Sequence, residues 1–186
     1  MAVYELKPVS IGPDFSAEWF DDEKCVWNDE RLRCPVSLVH DWKTPKLKLH
    51  RAGRAPTAVL FNPNAFAVSQ GVRERLSGFE ELEFLPVEIE GHGNYFIPHI
   101  IASCEVPEGS QVSRPEPPVN GNIVQIKAFP ANFEPTAAFF RILQPRNSPA
   151  GRKGRSVLAQ YANARGAQAM VSVAGQYICT HEVPLA

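Results

Sequence analysis

The stretch FAVSQGVRERLSGFEELEFLPVEIE, from Phe66 to Glu90, constrains the fold most, because it sets a short helix and a strand end to end. Ser69 stands where an N-cap side chain accepts from free backbone N–H groups. Val72, Leu76 and Phe79 follow at i, i+4 and i+7, one face of a helix. Gly78 suits a helix end. The spacing predicts a helix over 69–78 and then a strand over 81–90. In that strand Leu82 and Phe84 alternate with Glu81 and Glu83, but after Pro86 the parity changes and Val87 and Ile89 alternate with Glu88 and Glu90. A bulge at Leu85–Pro86 would return both apolar pairs to one face.

The rest of the chain is mostly strand-like. AVYELK (2–7), PVSLVHDW (35–42), a piece around Leu47 and Leu49, YFIPHIIASCEV (95–106), NIVQIKAF (122–129), AAFFRIL (137–143), AQAMVSV (167–173) and QYICTHEV (176–183) read as strands, and TAVLFNPNAF (57–66) runs from a strand into an Asn-Pro turn. GHGN (91–94) reads as a tight hairpin loop. SVLAQYANA (156–164) reads as a second short helix, with Val157, Leu158 and Tyr161 on one side. Helix 69–78 before strand 81–90, and helix 156–165 before strand 167–173, form a faint internal echo. The expectation is one α+β domain over 1–186, a mostly antiparallel sheet with two short helices, each followed by a strand. Its parts are N-terminal strands with an acidic segment (1–56), a first helix–strand unit (57–106), an exposed proline-rich loop (107–121) and a second helix–strand unit (122–186).

Composition supports a globular chain, with 44% hydrophobic and 21% charged residues. The 17 prolines are about twice the usual share and are spread along the chain, as turns and strand breaks are. No apolar run reaches the ~18 residues that span a bilayer, and MAVYELKPVS has no secretory-signal pattern, so a cytoplasmic location without membrane contact is expected. Cys25, Cys34, Cys104 and Cys179 form no CxxC pair and read as free thiols in a reducing compartment, although Cys25 and Cys34 could be neighbours across a hairpin. Net charge is −1, but it is unevenly spread. Residues 1–30 hold 8 acidic and 2 basic side chains, whereas residues 112–186 hold 3 and 8.

Few residues carry chemistry. The chain has no P-loop, dinucleotide fingerprint, HExxH or nucleophile elbow, and Ser69 reads as a cap. His40 and Asp41 adjoin on an expected strand and so point to opposite faces. His92 lies in a hairpin loop, and His99 and His181 lie in apolar strands. Cys179 and His181 share a strand face, and a metal joining them to Cys104 or His99 is the weak alternative to structural roles. Glu81, Glu83, Glu88 and Glu90 read as the wet side of a one-sided sheet. In SPAGRKGRS (148–156), Arg152, Lys153 and Arg155 precede the expected second helix, where an N-terminus attracts anions. That loop is the candidate for a phosphate or nucleic-acid module, against the simpler reading of a solvated basic loop. No aromatic interleaving supports base stacking.

Phe66, Val68 and Ser69, then Leu82–Glu83–Phe84–Leu85–Pro86–Val87, then Tyr95, resemble the pattern of a bacterial family of immunity proteins from polymorphic toxin systems, immunity family eleven. FFRIL (139–143) resembles the same family's phenylalanine–arginine strand. The resemblance covers about residues 57–173. GRKGRS before the second helix and the acidic segment 12–34 depart from the pattern. The resemblance implies binding rather than catalysis, with no cofactor and with a cognate toxin domain as partner. Charge complementarity with a basic toxin then points to Asp14, Glu18, Asp21, Asp22 and Glu23, with Trp19 and Phe20 as anchors. The alternatives are a small α+β enzyme built on His99, Cys179 and His181, and the anion-binding loop over 151–156. Neither the toxin's identity nor the oligomeric state is legible in the chain.

Overall fold

Two sheets collect most of the alternating segments. The computed structural model describes residues 2–8, 17–19, 32, 34–49, 57–62, 65–114, 125–147, 153–175 and 177–186. One sheet has six strands in the order β2 (Ala17–Trp19), β3 (Lys46–Leu49), β6 (Leu82–Ile89), β7 (Gly93–Ile100), β5 (Ala65–Val68) and β4 (Ala58–Asn62). The other has five, in the order β13 (Ile178–Val183), β1 (Val3–Pro8), β12 (Lys153–Asn163), β11 (Phe139–Asn147) and β8 (Ser103–Glu105). A separate ribbon pairs β9 (Gln111–Ser113) with β10 (Gln125–Ala128). Strand pairs are antiparallel except β3 with β6 and β8 with β11. With helices α1 (Gln70–Leu76) and α2 (Ala164–Ala174) the architecture is α+β, and β6 and β13 follow the two helices as expected.

Both helices lie in the core between the sheets. Val72 and Leu76 of α1 and Ala167, Met170 and Ala174 of α2 are buried there with Leu82, Phe96 and Ile100 of the six-stranded sheet. Leu6, Phe139, Ala162 and Ile178 come to the same core from the five-stranded sheet. Phe79 meets Phe139 edge to face at 5.0 Å. A second core lies on the other face of the six-stranded sheet, around Leu47, Leu85, Val87, Ile89, Tyr95 and Ile97. A third lies on the other face of the five-stranded sheet, where Phe129, Phe140, Ile142 and Tyr161 pack with Ile126 of the ribbon. Each fully buried side chain of this size contributes about 1.5–3 kcal/mol.

The chain itself joins the sheets. After Ile100 ends β7 in one sheet, β8 begins at Ser103 in the other. The buried guanidinium of Arg141 spans this corner, its Nε donating to Ile100 O at 3.0 Å. Glu81 makes a second tie, its carboxylate accepting from the backbone N–H groups of Ala138 and Phe139. The Cα atoms of edge strands β2 and β4 come within 8 Å of each other, so the six-stranded sheet curls toward closure.

Several expectations change. The β6–β7 register runs unbroken from Leu82↔Ile100 to Ile89↔Gly93, so there is no bulge at Leu85–Pro86. The parity switch arises because both faces are buried, with Leu82 and Phe84 on the inter-sheet core and Leu85, Val87 and Ile89 on the second core. The glutamates are therefore not one wet row. Glu81 and Glu83 are half-buried and hydrogen-bonded, while Glu88 and Glu90 are exposed, Glu88 lying 3.9 Å from Lys46. Residues 153–163 form strand β12 where a helix over 156–165 is expected, and 164–174 form helix α2 where a strand is expected. The end of β12 lies between β1 and β11, with Tyr161 buried on one face and Ala162 on the other, so apolar residues fall at both parities there, as they do in a short helix. In α2 the buried positions Gly166, Ala167, Met170 and Ala174 follow helical spacing, and Asn163 caps its start by accepting from Gly166 N at 3.1 Å.

Smaller corrections concern caps and turns. Ser69 occupies the N-cap of α1, but its side chain makes no capping bond, and the helix ends at Leu76 with Ser77 as its C-cap. Residues 35–42 form bends and a turn rather than a strand. β9 interrupts the expected 107–121 loop, whose residues 115–121 lie outside the described ones. The GHGN hairpin is as expected, with Gly91 and Gly93 at φ 75° and 78°, a conformation that favours glycine.

Candidate functional site

The segment 34–42 lies as a strap against the six-stranded sheet, and polar contacts fix it there. Pro35 interrupts any ladder, so its backbone groups find other partners. Leu38 N donates to the Glu83 carboxylate at 2.8 Å, and Ser37 Oγ donates to the same carboxylate. Trp42 Nε1 donates to Pro86 O at 2.7 Å. His99, 1% exposed, contacts Val36 O through Nε2 at 2.9 Å. A carbonyl only accepts, so Nε2 carries the hydrogen and Nδ1 is bare; Nδ1 has no partner among the described residues. Burial holds the His99 pKa below its ordinary value, opposed by the Val36 bond and Glu83 and reinforced by Arg141. Burial likewise lowers Arg141, to about 10, and the neighbouring Cys34 opposes that shift.

Leu38 is buried in the second core, and Leu32 and Trp42 pack against it. The outer side of the strap is open. Val36 and Val39 are 46% and 53% exposed and, with Val171 on α2, are the exposed large hydrophobic side chains among the described residues. His40, Asp41 and Lys43 beside them are also exposed.

The acidic segment adjoins this strap in sequence. Glu18 and Trp19 belong to β2, an edge strand that the sequence does not announce, in register with Lys48 and Leu47 of β3. Asp14, Phe20, Asp21, Asp22 and Glu23 lie outside the described residues. The chain from 20 to 31 thus leads from one segment fixed to the six-stranded sheet to another. Sequence reasoning missed Val36 and Val39; Pro35, read as a strand start, was the available sign of a non-ladder segment.

The proposed anion site changes character. Arg152 lies outside the described residues, while Lys153 and Arg155 are strand residues of β12 in register with Asn147 and Pro145. The helix that follows begins at Ala164, so these residues do not stand at a helix N-terminus. The histidine and cysteine candidates separate as well. Cys179 Sγ lies 3.4 Å from His181 Nε2 on the shared strand face. His99 and Cys104 do not join them, because no group of three metal-ligating side chains occurs among the described residues. Burial pushes the Cys104 thiol up to about 11. His40 and Asp41 lie in a turn, and His92 lies in the β6–β7 loop.

No helix among the described residues is long and apolar enough to cross a membrane. No family model matches the chain, and no curated protein matches it.

Proposed function

We propose that this protein is a non-catalytic binding module of the immunity type, which neutralises a cognate toxin domain in the cytoplasm by direct contact. The observation that carries this reading is the strap: Val36 and Val39 stay exposed although hydrogen bonds and Leu38 fix the segment to the sheet. A rigid apolar patch beside charged residues is the usual anatomy of a protein-binding surface, in which a few anchors contribute most of the affinity. The acidic residues Asp14, Glu18, Asp21, Asp22 and Glu23, with Trp19 and Phe20, supply the charge that would steer a basic toxin. The resemblance of residues 57–173 to immunity proteins supports the same reading.

Growth is the direct test. Co-expressed with the toxin domain encoded beside its own gene, the wild-type protein is expected to restore growth. Val36→Lys with Val39→Lys places two cations against a basic partner without opening a core, and should weaken rescue about tenfold or more. Toxicity unrelieved by the wild-type protein would refute the immunity reading. Full rescue by the double variant would remove the strap from the interface.

A further inference from the structure

The outward face of the β1–β13 pair carries a second constellation, remote in function from the strap. Glu5 and Lys7 alternate along β1, and His181 and Cys179 alternate along β13. The antiparallel register sets Glu5 opposite His181 and Lys7 opposite Cys179. Directly opposed residues share one face of a sheet, so the four side chains form a two-by-two patch. Three contacts organise it. Cys179 Sγ lies 3.4 Å from His181 Nε2, the thiol also donates to Lys7 O at 3.4 Å, and Lys7 Nζ pairs with the Glu5 carboxylate at 3.0 Å. β13 is an edge strand, Cys179 is partly buried and His181 beside it is exposed.

We propose that Cys179 is a reactive thiol that undergoes thiol–disulfide exchange with small disulfides of the glutathione type. A thiolate is the nucleophile, and a neighbouring imidazole or ammonium favours it. Of the two acceptors within reach of the Cys179 proton, only the imidazole can keep it. The proton passes from Cys179 Sγ to His181 Nε2, and the thiolate attacks one sulfur of the small disulfide. The Cys179–S bond forms as the old S–S bond breaks. Its electron pair leaves on the departing thiolate, which takes the proton from the imidazolium. His181 is the exposed member of the patch, at the edge of the sheet.

Cys104 is the internal control, since it is partly buried with its thiol held up to about 11. The full chain is incubated with oxidised glutathione, and modification is followed by intact mass and peptide mapping. The mixed disulfide is expected at Cys179 at least about tenfold faster than at Cys104. His181→Asn should slow Cys179 about fivefold or more and leave Cys104 unchanged, while circular dichroism verifies that the variant is folded. Equal rates at the two cysteines, or an unchanged Cys179 rate in folded His181→Asn, would overturn the proposal.

Discussion

His99 is where a single side chain reports on the strap. Its neutral ring donates to Val36 O and is buried at the level of the core, so a proton on Nδ1 would place a cation in an apolar site beside the Arg141 guanidinium. The folded-state pKa therefore lies below the unfolded value near 6.5. Below 6.5 the unfolded chain binds the proton more readily than the folded one, so the stability due to neutral His99 is complete above 6.5 and declines as pH falls toward the folded pKa. The urea midpoint of the wild-type protein should fall between about pH 7.5 and about pH 5.5, over the range of ordinary histidine titration. His99→Gln keeps a donor for Val36 O and removes the titration, so its midpoint should vary less over that interval. An equal pH dependence in both proteins would show that another group controls it. His99 was legible as a structural, partly buried histidine. Its partner was not, because Val36 lies in a segment that reads as a strand.

The elements differ in how far the chain announces them. β6 and β7 are legible because alternation and a glycine-rich turn agree, and α1 because its apolar spacing is helical. β12 and α2 are exchanged in the sequence reading because a strand with apolar residues at both parities around Tyr161 and Ala162, and an alanine-rich helix, lose their distinctive periods. The absent bulge has the same origin: a strand between two cores carries apolar residues at both parities. Gly166 explains why α2 sits where it does. A Cβ built there would lie 2.2 Å from Ala138 O, so only glycine lets the helix start approach β11 this closely. Gly71, an exposed residue of α1, has nothing within 4 Å of the same atom. Gly166→Ala should thus destabilise by about 1–3 kcal/mol, as overpacking does, despite alanine's better helix propensity. Gly71→Ala should be neutral or stabilising by up to about 1 kcal/mol. Denaturant midpoints of the two variants read this directly, and stabilisation by Gly166→Ala would mean that the helix can move away from β11.

At the scale of the molecule, two sheets share a helical core and are tied by the β7–β8 run, Arg141 and Glu81. β2, which precedes residues 20–31 in sequence, and the strap, which follows them, are both hydrogen-bonded to the six-stranded sheet. The fold class was legible because local alternation survives in most strands. The candidate surface was only half legible: charge marks the acidic residues in composition, but the exposure of Val36 and Val39 depends on contacts made by residues some forty-five positions away, Glu83 and Pro86 among them. The partner proposed for this surface is a basic toxin domain. Calorimetric titration of that domain with wild-type protein and with Asp21→Lys/Asp22→Lys, at low and at physiological salt, tests it most directly. Binding by the variant should be at least about tenfold weaker, with the gap narrowing as salt rises. Equal affinity of the two proteins at low salt would contradict it.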